Sequence, residues 1–316
     1  MTYNRWHQLH RRLRLWNPCP NARTQPRLSL FQRVDDWSQF IQQASRRLWQ
    51  AGTTLAVDEC MVGFTGRARE KVTIPRKPTP TGFKVWAVAQ AGYFLGWLWH
   101  DPFEPLGPAA KRPRKRPRTE EGTIYLNPTQ SVVIALIKQL PEQTYHVFMD
   151  NLFSSPALFL ALRKLGIGAT GTARINSGLY APFVNQIAWK DNALVLFYTT
   201  IYTGHEFCQR VRRRPTTTHA RARPIQQEFG AEPVKTQTLP SISIDYNDKM
   251  GAVDIGDQLR ASEGIEHRVR KGSWRALAWT FLLEVALTNS YLLQLHGQVG
   301  PGWKAQKTQR GWRQLL

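Results

Sequence analysis

Thr53-Thr54-Leu55-Ala56-Val57-Asp58-Glu59 joins a β-branched and apolar run directly to two acidic residues. The stretch Val147-Phe148-Met149-Asp150 repeats this arrangement later in the chain. Both runs predict strands, and sites in open mixed sheets form at the ends of such strands. If the two strands are neighbours, the carboxylates of Asp58 and Asp150 converge and repel, and a bound divalent cation removes that repulsion.

Two further acidic residues, Asp254 and Asp257, lie three apart in Gly251–Gln258. Residues at i and i+3 share a face of a helix. The four acids together would suit two Mg²⁺ or Mn²⁺ ions about 3.5–4 Å apart, as in phosphodiester displacement. A lone Asp at a strand end is more often a turn former or a helix cap, so a purely structural role remains the alternative.

The alternation of predicted strands and helices indicates an α/β fold. Strands are predicted over much of 53–100, at His146–Met149, at Ile167–Thr172 and at Leu194–Tyr202. Helices are predicted after Asn127, after Ser155 and over Trp274–Leu295. The predicted domain plan is a helical segment 1–50, a first catalytic part 51–172 with a basic loop 101–126, a β-rich insertion 173–245, a helical second part 246–296 and a basic tail 297–316.

Composition points to a polyanionic partner. Lys and Arg number 43 against 22 Asp and Glu, which gives a net charge of +21, and this balance indicates nucleic acid. The longest apolar stretch, 276–287, contains Glu284 and is shorter than the ~20 residues that span a bilayer, so no membrane partner is expected. Three scattered cysteines encode neither a disulfide framework nor a Cys-rich zinc module.

Two basic segments are candidate DNA-binding surfaces. The first follows Asp58 and comprises Arg67, Arg69, Lys71, Arg76, Lys77 and Lys84. The second flanks Trp274 and comprises Arg268, Arg270 and Lys271. The alternative for both is ordinary solvated charge, with Trp274 in the core. The run Lys111–Arg118 is similar to a nuclear localisation signal, or is a solvated loop.

Three sequence blocks resemble, in order, the catalytic blocks of piggyBac transposases. The first is Val57–Arg67 with Ile74–Pro78 and Gly82–Trp86. The second is Asp150-Asn151-Leu152-Phe153-Ser154-Ser155, followed by Gly166–Arg174. The third is Tyr246–Gln258. The resemblance spans about 30–296, and several long motifs in order are far more specific than one short motif.

The resemblance implies a ribonuclease-H-like fold, in which an insertion interrupts a mixed five-stranded sheet flanked by helices. It implies cut-and-paste DNA transposition, with Asp58, Asp150 and Asp254 as the catalytic triad and Asp257 as a fourth, supporting carboxylate. Mg²⁺ or Mn²⁺, as two ions, would be the cofactor. The expected partners are double-stranded DNA at transposon ends, a TTAA target and a second copy of the chain, in the nucleus.

Departures from the family pattern keep two other functions open. The family has a longer N-terminal region and usually a C-terminal Cys-rich module, and neither is present in these 316 residues. The first alternative is therefore a truncated or domesticated DNA-binding protein without transposition activity. The second is a general nuclease of ribonuclease-H type, which the three motif blocks disfavour.

Overall fold

The computed structural model describes most of the chain and shows an α/β fold with one large mixed sheet. The described residues are 28–75, 77–103, 124–175, 184–190, 193–262, 272–297 and 304–316, with positions 2, 4, 5, 8, 12, 15 and 16. Arg76, Arg268, Arg270, Lys271 and the run Lys111–Arg118 therefore lie outside them.

Ten strands occur in the described part of the chain, and eight of them form the large sheet. The ten strands are β1 (Thr54–Gly63), β2 (Val72–Thr73), β3 (Thr81–Gln90), β4 (Tyr93–Trp99), β5 (His146–Met149), β6 (Gly168–Ala173), β7 (Asn185–Lys190), β8 (Leu194–Thr199), β9 (Phe207–Arg213) and β10 (Val234–Pro240). β2 and β4 both pair with β3, and the order then continues as β3, β1, β5, β6, β8 and β7.

The helices flank this sheet on both faces. They are α1 (Asp35–Leu48), α2 (Pro128–Ile137), α3 (Pro156–Lys164), α4 (Arg223–Phe229), α5 (Ser241–Lys249), α6 (Ala252–Ser262), α7 (Ser273–His296) and α8 (Gln309–Arg313). A short 3₁₀ turn, Ala220–Ala222, precedes α4. The side chain of Asn127 caps α2, as the sequence predicted, and it does so in a capping box with Gln130.

β1 is the central strand, and it extends further than its sequence suggested. It pairs in parallel with β5 only up to the pair Val57 and Met149. Its antiparallel pairing with β3 continues to the pair Gly63 and Gly82. Asp58 therefore lies inside a long strand, whereas Asp150 lies just beyond the end of a short one, because β3 supports β1 after β5 has ended.

Two hydrophobic cores sandwich the sheet. One contains Ala56, Cys60 and Val62 of β1 and packs against α6 and the first half of α7. The other contains Leu55 and Val57 and packs against α2 and α3. Because successive strand residues face opposite sides, Asp58 points toward the α6 and α7 side, and Glu59 points toward the other.

α7 is the main helix of the first core, as its apolar composition predicted. Seven of its residues, Ala276–Leu282, are π-helical. Asn289 binds it to β4 and to α1, donating to the Phe94 carbonyl at 2.9 Å and to Ser45 Oγ at 3.0 Å. By length and composition α7 could also cross a bilayer, but 61% of its apolar window is buried inside the protein, as in a core helix.

Two of the predicted segments differ in the structure from what the sequence suggested. Part of the predicted insertion, 173–245, joins the main sheet, because β8 pairs antiparallel with β6 and β7 pairs with β8. Only β9 and β10 form a separate two-stranded sheet. The predicted tail, 297–316, is ordered against α7 over its described residues, where Arg313 forms an ion pair with the buried Glu284.

Candidate active site at the end of the central strands

Asp58 and Asp150 follow the last pair of two adjacent parallel strands. The last residues paired between β1 and β5 are Val57 and Met149, so the next residue is Asp58 within β1 and Asp150 just beyond the end of β5. Asp58 is only 7% exposed, and Asp150 is partly buried. The strand register therefore brings the two residues to neighbouring positions, and the convergence of their carboxylates stays a prediction.

Burial makes both carboxylates hard to ionise. It raises the pKa of Asp58 to about 7, and the charges of Glu59 and Asp150 add to this rise. It also raises the pKa of Asp150, with a further contribution from Glu59. Asp58 accepts the backbone N–H of Glu59 at 2.7 Å, and Asp150 accepts that of Leu152 at 2.8 Å. These bonds oppose the rise but do not cancel it.

Lys77 is a cation held beside this acidic group. Its Nζ lies 3.4 Å from Glu59 Oε1. Burial alone would lower the pKa of Lys77, but Glu59, Asp58 and Asp254 outweigh burial and raise it. Lys77 therefore lies within the field of carboxylates from both β1 and α6.

Lys84 is also turned toward Glu59. Its Nζ is 3.7 Å from Glu59 Oε2 and 3.8 Å from the centre of the Trp86 ring. Burial lowers the pKa of Lys84, and only 12% of its side chain is exposed. A direct contact between Lys84 and a DNA phosphate would require this side chain to leave Glu59.

The acidic residues of α6 are in different environments. Asp254 is exposed in the first turn of the helix. Asp257 is bound by Arg260, whose Nε lies 3.0 Å from Asp257 Oδ1. Within the described residues, no group of three His, Cys, Asp or Glu side chains is arranged to hold a metal ion.

α6 approaches the sheet closely because residue 256 is glycine. A Cβ atom at Gly256 would lie 2.5 Å from the carbonyl oxygen of Gly92, in the β3–β4 turn, and 2.7 Å from the Phe94 ring. No larger residue fits this contact without moving the helix. Asp254 and Asp257 are therefore carried on a helix whose separation from the sheet is set by backbone contact.

Tyr246 is a site residue whose role was not inferred from the sequence. Its hydroxyl lies 3.2 Å from Thr172 Oγ1, and its ring packs edge-on against Phe197. Burial raises the pKa of Tyr246 to about 12, with contributions from the charges of Asp150 and Asp58. Tyr246 therefore places a neutral hydroxyl near the carboxylate pair and attaches α5 to β6.

The remaining predicted basic residues are more exposed. Arg67 and Arg69 are exposed, and Arg69 lies over the Phe103 ring at 4.5 Å. Lys71 donates to the Gly66 carbonyl at 3.1 Å. Trp274 is buried against Trp16, which agrees with a core role for it.

A comparison with protein families identifies the chain. The family model described as Transposase IS4 matches residues 1–291. The chain belongs to the transposase IS4 family. Two human relatives place it with the piggyBac type of this family. It is 26% identical over 256 residues to piggyBac transposable element-derived protein 2 and 27% identical over 270 residues to piggyBac transposable element-derived protein 3. The predicted family is therefore confirmed.

These matches cover unequal shares of the proteins compared. They include 75% and 77% of this chain, which spans only 39% and 40% of the human relatives. A solved structure, the cryo-EM structure of a piggyBac transposase synaptic complex with hairpin DNA, matches all of this chain and 62% of that one. Its TM-score is 0.65 at 20% identity, and this likeness shows the fold.

Proposed function

We propose that the chain is the catalytic core of a piggyBac-type transposase, an enzyme that cuts DNA strands and joins them to a target. The observation that carries this proposal is that Asp58 and Asp150 directly follow the last residue pair, Val57 and Met149, of two adjacent parallel strands. Asp58 is buried and Asp150 is partly buried, and burial raises the pKa of each carboxylate. Carboxylates that are costly to ionise without a partner are typical of functional sites.

The proposal includes a ribonuclease-H-like core. It is supported by the five central strands, whose order is β4, β3, β1, β5 and β6. Among these five, β3 alone runs in the opposite direction to the other four, since it is antiparallel to both β4 and β1, and β1, β5 and β6 are parallel to one another. Asp58 lies on the middle strand of this set, and Asp150 follows the strand beside it.

The family implies a divalent cation, and the donor set fits one. Asp58 and Asp150 supply hard oxygen ligands, and their mutual repulsion is a cost that a cation removes. With Asp254 they would hold Mg²⁺ or Mn²⁺, as one ion or two. The metal would neutralise the negative charge that develops on the reacting phosphate. Asp257 would take the supporting role, because Arg260 already engages its carboxylate.

The chain's own residues would complete the site. Lys77, held by Glu59 beside the aspartates, would contribute positive charge toward a bound phosphate. The exposed Arg67 and Arg69 would contact the DNA backbone. The TTAA target, nuclear location and a second copy of the chain follow from the motif resemblance.

A second candidate function is DNA binding without cleavage, in a domesticated or partial transposase. One observation favours it: in the part of the chain that the structure describes, three ligands are not gathered into a metal site. The net charge of +21 would support DNA binding with or without catalysis.

Metal-dependent cleavage separates the two functions. The whole chain would be incubated with labelled duplex DNA containing TTAA and Mn²⁺ or Mg²⁺, and the wild type compared with Asp150→Asn and with the exposed control Asp36→Asn. We expect strand cleavage that needs the metal and falls at least about 100-fold in Asp150→Asn, because several kcal/mol of charge stabilisation are lost.

Two results would decide against catalysis. The first is DNA binding by the wild type with no cleavage under either metal. The second is cleavage that Asp150→Asn leaves at the level of the Asp36→Asn control, which would assign the activity to another site or a contaminant. Scrambling the TTAA in the duplex tests the target preference separately.

A further inference from the structure

Arg260 is a buried arginine that joins three separate segments of the fold. It is 6% exposed and lies in the second half of α6. Its Nη2 donates to the Met61 carbonyl of β1 at 2.9 Å, and its Nη1 donates to the Thr280 carbonyl of α7 at 2.6 Å. Its Nε donates to Asp257 Oδ1 at 3.0 Å.

These contacts use the shape of the guanidinium group. Its N–H donors radiate in one plane from a fixed fork, so one side chain can bind partners in different directions at once. A lysine carries its donors on a single nitrogen and cannot reproduce this arrangement. The ring of Phe281, 5.5 Å from the guanidinium carbon, covers it within the core.

Two of the three acceptors lie at irregularities in the neighbouring elements. β5 ends opposite Val57, so beyond that point β1 is paired only with β3 among the described strands. Arg260 binds the Met61 carbonyl in this part of β1, three residues beyond Asp58. Thr280 lies in the π-helical stretch, where the usual i→i+4 pairing of backbone groups is altered.

The position of Arg260 on α6 connects this network to the acidic residues. Asp257 lies one turn before Arg260, and Asp254 lies one turn before Asp257. Residues three apart are neighbours on a helix, so Asp257 adjoins both Arg260 and Asp254, whereas Arg260 and Asp254 point about 120° apart, one buried and the other exposed. A change in how Arg260 is held would therefore rotate or shift the face that carries Asp254 relative to Asp58 on β1.

We propose that Arg260 is a positioning residue that fixes α6 against β1 and so sets the approach of Asp254 to the Asp58 and Asp150 pair. This inference rests on the proposed function, in which these three carboxylates hold the metal. Arg260 contacts neither metal nor DNA in this scheme. Partners that orient ligands change metal affinity or activity by about 10–100-fold when they are removed.

The experiment measures Mn²⁺ binding by calorimetry and metal-dependent cleavage of TTAA duplex DNA by the whole chain. Arg260→Met removes the charge and the fork, and Arg260→Lys keeps the charge alone. The control is Arg46→Met, since Arg46 also binds a strand carbonyl, that of Leu95, but from α1. Circular dichroism and thermal melts show which variants are folded, and binding is measured well below their melting temperatures.

We expect Mn²⁺ affinity to fall about tenfold or more in both Arg260 variants, with cleavage falling in parallel, and to stay at the wild-type level in Arg46→Met. Folded Arg260 variants that bind and cleave like the wild type would overturn the positioning role. So would unfolding of both variants, which would make Arg260 a folding residue. A wild type that neither binds Mn²⁺ nor cleaves DNA would refute the proposed function itself, before any variant is compared.

Discussion

Replacing Asp58 with asparagine should stabilise the metal-free protein at neutral and alkaline pH. Burial raises the pKa of Asp58 from its ordinary 3.8 to about 7. At about 1.4 kcal/mol for each pH unit between these values, the ionised carboxylate costs the fold about 4 kcal/mol. Asparagine is nearly the same size, can keep the bond from the Glu59 N–H and carries no charge.

The pH dependence gives the sign of this effect. The folded state keeps the Asp58 proton up to about pH 7, whereas the unfolded state releases it near pH 3.8. Folded molecules therefore bind more protons between these values, and the contribution of Asp58 to stability falls as pH rises through that window. The advantage of Asp58→Asn should be full at pH 8, less than half as large at pH 5 and absent below about pH 4.

Thermal unfolding in excess chelator measures this directly. For 316 residues, about 4 kcal/mol corresponds to a rise of about 6 °C in Tm at pH 8. The exposed control Asp36→Asn should change stability by less than about 0.5 kcal/mol. The reasoning is refuted if Asp58→Asn melts at or below the wild-type temperature at pH 8, or if its advantage is the same at pH 5.

Two further substitutions test the packing around the site. Gly256→Ala should destabilise the fold by about 2 kcal/mol, because its Cβ would lie 2.5 Å from a backbone carbonyl oxygen. Gly251→Ala, with open space around its Cβ, is the matched control in urea denaturation, and equal midpoints would contradict the close approach of α6. Glu284→Gln should cost about 3 kcal/mol, because it breaks a buried ion pair with Arg313. An unfolding free energy unchanged from that of the exposed control Glu142→Gln would show that this pair contributes nothing.

Much of the site could be predicted from local sequence alone. The apolar run before Asp150 predicted β5 as His146–Met149, and the structure has these bounds. Parallel pairing of the two strands then suffices to bring Asp58 and Asp150 to neighbouring positions. The third motif block was correctly expected to be helical around Asp254, which lies in the first turn of α6.

Interactions between distant segments could not be predicted in this way. The two acidic residues in Asp58-Glu59-Cys60 predict the end of a strand. In the structure, pairing with β3 keeps this segment extended. Helical spacing relates Asp257 equally well to Asp254 and to Arg260. Asp257 pairs with Arg260, whose side chain is held in place by carbonyl groups of β1 and α7. These carbonyls are about 200 and 20 residues away from Arg260, so helical spacing could not predict the pairing.

The basic segment after Asp58 shows the same limit. Lys77 and Lys84 are charged and lie near a predicted site, so the sequence favoured phosphate contacts for both. Their ion pairs with Glu59 depend on the fold of β3 and the loop before it. Charge identifies candidates for DNA binding, but the direction of a long side chain is set by its tertiary neighbours.

The π-helical stretch of α7 allows the chain to change in length by one residue at this place. A π turn accommodates one more residue than an α turn, because its bonds span five residues instead of four. Deleting one residue between Ala276 and Leu282 would let the helix return to α geometry, and the residues after it would keep the direction in which they face. Asn289 would then keep Ser45 and Phe94, and Glu284 would keep Arg313. A one-residue gap at this place in a related sequence would therefore mark a regular α-helix with the same packing.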